Sequence, residues 1–190
     1  MGRVGLILGA GLSIAMGAAA CVEGQREGVV SVALETKVLA PAQCGSMSPL
    51  HVLDGILFAG QPSAEDLDQA QRLGVKTVIN LRHAAEIADF DEGQAVESRG
   101  TRYVNVPFGK AEELTAAVFD KLRAELRDSK RPILLHCASA NRVGAVWLPY
   151  RVLDGRLDVE PALAEAQAIG LRSAAYEARA RAYVDQNLVR

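Results

Sequence analysis

Basic side chains are not in excess in this chain: 21 Lys and Arg stand against 23 Asp and Glu, a net charge of -2 over 190 residues. That balance leaves no broad positive surface, so no nucleic-acid partner is expected and any bound anion must be held by a few local groups. Histidine and cysteine are scarce too, three of each. They are scattered without ligand spacing, so neither a metal nor a cofactor is expected. Internal repeats and low-complexity segments are also missing, which removes solenoid and fibrous architectures. With 49% hydrophobic and 23% charged residues, what remains is the composition of one ordinary folded domain.

Long apolar runs are limited to the N-terminus, "MGRVGLILGAGLSIAMGAAA". Arg3, a short apolar body and a small-residue end at Ala18, Ala19 and Ala20 follow the order of a secretory signal peptide. A membrane anchor fits less well, since the run is rich in Gly and Ala and barely long enough to span a bilayer. "GAAAC" resembles the lipobox of bacterial lipoproteins, with Cys21 as the lipidated residue, although Ala18 stands where leucine is usual. Cleavage after Ala20 without lipid is the alternative. Either route predicts an exported protein, periplasmic or lipid-anchored to the cell envelope, with residues 1–20 as leader, 21–47 as tether and 48–190 as the domain. Cys44 and Cys137 are expected to stay unbridged in that oxidising compartment, because a bond between them would silence Cys137.

Along the domain, "HVLDGILFAG" sets Asp54-Gly55 between apolar runs, the mark of a tight hairpin. "SAEDLDQAQRLG" opens with the capping-box pair Ser63 and Asp66 and closes at Gly74, predicting a helix. "VKTVINL" and "TRYVNVP" read as strands. In "EELTAAVFDKLRAELRD", Leu114, Val118, Leu122 and Leu126 fall on one helical face. "RPILLHC" is a short strand, followed by a helix from about Asn141 and by two more helices, "DVEPALAEAQAIG" and "SAAYEARARAYVDQNL". Strands alternating with helices predict the α/β class, a mostly parallel sheet covered on both faces.

Such sheets bind ligands at the carboxyl ends of their strands, and Cys137 lies at one. A cysteine between a strand end and a helix start meets unpaired backbone N–H groups and the positive end of the helix dipole, an environment that favours the thiolate. The amides of Ala138, Ser139, Ala140, Asn141 and Arg142 can cradle an oxyanion, and the planar fork of Arg142 suits phosphate or sulfate. Nucleophile, cradle and arginine together suit covalent transfer of a charged group. His136 is expected to be buried, pointing away from Cys137 and hydrogen-bonding the loop.

These residues, with "FAGQPSAEDLDQAQRLGVKTVINLR", "YVNVP" and "HCASANRVGAVW", resemble the cysteine-dependent protein tyrosine and dual-specificity phosphatases, especially the bacterial beta-lactamase hydrolase-like phosphatase group. The resemblance covers most of the chain after the leader. It implies a dual-specificity-phosphatase-like fold, with Cys137 forming a thiophosphate intermediate, Arg142 binding the phosphate, and a phosphorylated substrate or other oxyanion as partner. Family loops read H-C-x-x-G-x-x-R, with five residues between Cys and Arg; this chain has four, and Ala140 stands at the glycine. If that position needs a positive φ, alanine costs on the order of 1 kcal/mol. The family's acid, an aspartate after the strand matching "RYVNVP", has no counterpart in "FGKAEEL". Glu112 and Glu113 are the substitutes at hand, or else first-turn acids serving the helix dipole, and Lys110 is an anion contact. Arg82 and Glu86, beyond another strand end, either line the same crevice or pair on the surface.

The count of four also resembles the C-x-x-G-x-R loop of rhodanese-type sulfurtransferases, which carry sulfur as a cysteine persulfide. "VINLRHAAE" loosely matches one of their strands, but no counterpart of their "GHIPGA" segment is present. A third alternative is a catalytically weak pseudophosphatase that binds an anion without turnover.

Overall fold

In the computed structural model the described residues are 19–20, 33–87 and 89–188. Residues 1–18 of the expected leader, and Cys21, lie outside them. The strands are β1 (Ala19–Ala20), β2 (Ala40–Gln43), β3 (Leu50–Leu53), β4 (Ile56–Ala59), β5 (Thr77–Asn80), β6 (Arg102–Asn105) and β7 (Ile133–His136). The helices are α1 (Ala64–Arg72), α2 (Glu92–Glu97), α3 (Ala116–Asp128), α4 (Asn141–Leu153), α5 (Val159–Ile169) and α6 (Ala174–Leu188).

Six strands, β2 to β7, form a mixed sheet in the order β2-β3-β4-β7-β5-β6, with the two-residue β1 alongside β2. β4, β7, β5 and β6 run parallel, while β2, β3 and β4 are successively antiparallel. The hairpin between β3 and β4 turns at Asp54 (φ 48) and Gly55 (φ 72), as the Asp-Gly pair requires. The Ser63–Asp66 capping box of α1 is present in both directions. β2 and the buried side chains of Cys44 and Met47 come from the stretch read as a tether. Pro41, which cannot donate to a ladder, and the polar Gln43 on β2 obscure a strand in the sequence.

Each face of the sheet buries its own core. Leu57, Ala59, Val78 and Leu134 pack against Leu67 and Ala70 of α1, its cap residue Leu73 and Val96 of α2. Ile56, Phe58, Ile79 and Leu135 pack against α3, α4, α5 and α6. α4 is the central helix, buried from Arg142 to Pro149, with Trp147 edge-on to Phe58 at 4.6 Å between ring centroids. Cys44 belongs to the first core and Cys137 to the second, and they are not bridged to each other. Among the described residues no helix is long and apolar enough to cross a membrane.

Candidate active site

β7 delivers Cys137 to the carboxyl edge of the sheet, and α4 begins four residues later. The cap position of α4 is Ala140, at φ 60 and ψ 1, and no side chain caps that helix end. Alanine therefore occupies a left-handed position, the conformation that the glycine of the longer loop would adopt without a Cβ penalty.

The loop is braced from two sides. On one, Gly60 and Ser139 form an isolated bridge, and the Gln61 amide donates to the Ala138 carbonyl at 3.4 Å. A Cβ on Gly60 would lie 2.2 Å from the Ser48 carbonyl oxygen, so only glycine lets the chain pass here. On the other side, Asn141 Oδ1 accepts from the amides of Arg172 (2.9 Å) and Ser173 (3.2 Å). Arg172 Nη2 donates to Ser139 Oγ at 2.6 Å. Asn141 and Ser139 thus tie the loop to the connection between α5 and α6.

Arg142, 8% exposed, is held from behind. Nη1 donates to Glu86 Oε1 (2.8 Å) and to the carbonyls of Phe108 (2.9 Å) and Leu81 (3.2 Å), and Nη2 to Glu86 Oε2 (2.7 Å). Among the described residues no oxygen takes the Nε edge. Burial works against the Arg142 charge, but the Glu86 carboxylate and the Cys137 sulfur outweigh it and hold its pKa above the ordinary value. Arg142 in turn is the main cause that brings the Glu86 carboxyl down to about 2.

Arg82 donates to Gln61 Oε1 and to the Glu86 carbonyl, lying beneath the site as a support for Glu86. Gln61 Nε2 donates to Glu92 Oε2 at 2.8 Å, and Glu92 Oε1 is 2.7 Å from His136 Nε2. His136 is fully buried and faces away from Cys137, but its partner is Glu92 on α2 rather than the loop. The loop's bracing instead comes from backbone and from Arg172. Burial opposes the Glu92 charge, yet the His136 bond keeps its pKa below the ordinary value.

A pocket of about 410 Å³ opens over the loop, lined by Cys137, Ser139, Asn141 and Arg142 below and by His83, Glu86, Gly109, Lys110, Glu113 and Tyr176 around it. Glu113 and Lys110 reach it; Glu112 is exposed and makes no bond there. The two glutamates belong to a separate 3-10 turn, Ala111–Glu113, because Thr115 caps α3 after them. They are therefore not first-turn acids of that helix. The Glu113 carboxylate accepts from the Gly109 amide (2.6 Å) and lies 2.9 Å from His83 Nε2. Those two partners, the amide first, depress its pKa. Tyr176 of α6 closes the wall, its hydroxyl donating to the Gly109 carbonyl at 3.1 Å.

Cys137 and Arg142 thus share one pocket on one braced turn, with Lys110 and Glu113 across it. Residues 50–153 match the family described as beta-lactamase hydrolase-like protein, phosphatase-like domain, over more than half of the chain. The chain belongs to that family. The beta-lactamase hydrolase-like protein of Agrobacterium fabrum (strain C58 / ATCC 33970) is 24% identical over 115 residues, 58% of this chain and 26% of that protein. The chain thus spans about a quarter of the length of this curated relative. Among solved structures, TpbA of P. aeruginosa is 26% identical with a TM-score of 0.52, covering 72% of this chain and 83% of TpbA. A Cys-to-Ser form of TpbA has been solved in complex with pTyr. A DUF442 protein of Shewanella putrefaciens CN-32, 22% identical, superposes with a TM-score of 0.61 over 75% of this chain and 95% of its own. These neighbours share the dual-specificity-phosphatase-like fold.

For this beta-lactamase hydrolase-like, phosphatase-like domain, several residues that build the site carry little signal of their own. His83, Gln61, Glu92, Arg172 and Tyr176 are met only once the chain is folded. "GQPS" marks two of the positions, Gly60 and Gln61, without revealing that one admits a crossing backbone and the other links Arg82 to Glu92.

Proposed function

We propose that this chain hydrolyses phosphomonoesters through a cysteinyl phosphate on Cys137, the anion held by the amides of residues 138–142 and by Arg142. The observation that carries the reading is the arginine. Its Nη ends are tied to Glu86, Leu81 and Phe108, and it lines the pocket that also contains Cys137. A guanidinium fixed from behind meets an anion at little entropic cost. In the reaction the Cys137 thiolate attacks phosphorus, the alcohol leaves, and water then releases phosphate from the sulfur. The amide cradle and Arg142 stabilise the equatorial oxygens in both steps. The pTyr complex of TpbA supports a phosphorylated substrate here.

The four-residue count supports a second reading, sulfur transfer through a Cys137 persulfide, and Ala140 in place of glycine supports a third, anion binding without turnover. The full chain assayed with p-nitrophenyl phosphate, and with thiosulfate plus cyanide, separates them. Phosphate release that disappears in Cys137→Ser is expected. Thiocyanate formation without phosphate release would establish the persulfide reading, and silence in both assays alongside orthovanadate binding would establish the binding module. We further propose export to the periplasm or the cell envelope. Fractionation, with the intact mass of the mature N-terminus, checks both export and a lipid on Cys21; full-length protein retained in the cytosol would end that proposal.

A further inference from the structure

The aspartate that usually supplies the leaving-group proton is missing, so the pocket must hold another donor if the phosphatase reading above is right. Its carboxylates are poor choices. Glu86 is locked against Arg142 and ionised down to about 2. Glu113 is kept as a carboxylate by the Gly109 amide and His83. Burial raises the Tyr176 pKa, and its proton is already given to the Gly109 carbonyl.

His83 is the pocket residue whose side-chain type exchanges a proton near neutral pH. Its backbone is fixed, the amide donating to Glu86 Oε1 at 2.9 Å. Its ring is fixed too, with Nε2 2.9 Å from Glu113 Oε2. A carboxylate on one ring nitrogen orients an imidazole for proton transfer. Glu86, Arg142, Cys137, Glu113 and Lys110, with Tyr176 of α6, line the pocket beside it.

We propose that the His83–Glu113 pair is the general acid and base of this site. In the first step the Cys137 sulfur–phosphorus bond forms, the phosphorus–oxygen bond to the leaving group breaks, and the His83 ring gives its proton to the departing oxygen. Products are a neutral alcohol and a neutral imidazole. In the second, water attacks phosphorus and passes its proton to the His83 ring. The sulfur–phosphorus bond breaks, Cys137 leaves as thiolate, and inorganic phosphate and the imidazolium are restored.

Leaving-group dependence tests this on the full chain. In His83→Gln, kcat/KM for phenyl phosphate, a poor leaving group, falls at least ~100-fold, while p-nitrophenyl phosphate, which needs little protonation, loses less than ~10-fold. The alkaline limb of the phenyl phosphate pH profile disappears in that variant. Glu113→Gln keeps the imidazole but removes the carboxylate that orients it, so phenyl phosphate again loses more than p-nitrophenyl phosphate. Orthovanadate binding retained in both variants shows the cradle intact. Equal losses on the two substrates, or unchanged rates, in either variant would each overturn the assignment. A wild-type chain that releases phosphate from neither ester would end the phosphatase reading itself, and this assignment with it.

Discussion

Ala140 shows how a single side chain sets the terms of the loop. At φ 60 it sits where an L-residue is strained, by about 1–2 kcal/mol. The methyl group is fully buried, and giving it up loses about 0.8 kcal/mol. Ala140→Gly is therefore expected to stabilise the protein by less than about 1 kcal/mol, read as a small rise in melting temperature. A decrease would mean that the methyl packing matters more than the backbone strain.

Glu86 gives a pH signature at the same scale. Its folded pKa of about 2 lies below its ordinary 4.5. Its contribution is therefore fully present above pH 4.5 and lost as the pH falls from 4.5 towards 2. Glu86→Gln should be less stable than the parent at pH 6 in urea melts, with the gap narrowing by pH 3. A constant gap would show that charge is not what Glu86 supplies to Arg142.

Among the elements, α4 and α5 meet too closely for any side chain at Gly144. A Cβ there would stand 2.5 Å from the Ala166 carbonyl oxygen and 2.8 Å from both the Leu171 nitrogen and Cβ. Two of those atoms are backbone and cannot swing aside. Gly144→Ala is expected to cost about 1–3 kcal/mol and, since Arg142 is two residues away, to weaken orthovanadate binding as well. Isothermal titration and thermal melts read the two effects.

The elements also show what can be read before folding and what cannot. α1 announces itself through Ser63, Asp66 and a clean apolar stripe, and β7 through an unbroken "ILLH". α2 does not. In "DEGQAVESRG" only Val96 is a large apolar residue, and Glu92, which looks like a surface acid, is 2% exposed because His136 takes its proton-accepting oxygen. Polar residues buried for each other's sake leave no hydrophobic periodicity to detect. For the same reason Cys137 and Arg142 were legible from strand, spacing and helix, whereas Gln61, Glu92 and Arg172 were not. The side chains that hold them lie 21 or more positions along the chain.

Across the whole molecule, α5 and α6 cover α4, whose residues from Arg142 to Pro149 are all buried. Phe119 of α3 stacks on Tyr183 of α6 at 4.6 Å. A chain ending after Asp154 would expose that apolar surface together with Val143, Val146 and Trp147. It is expected to lose cooperative unfolding, seen as a broad thermal transition and dye binding to exposed apolar surface. A sharp transition in the shortened chain would show that the sheet and α4 are self-sufficient.

The tie between the loop and residues 172 and 173 has a corollary. The segment recognised as the family stops at residue 153, yet Ser139 and Asn141 are gripped from beyond it. A substitution on that distant connection therefore reaches the loop through these bonds without touching the segment by which the family is recognised. A chimaera of residues 50–153 with a tail that lacks Arg172 would carry the cysteine and arginine on a loop missing one of its ties.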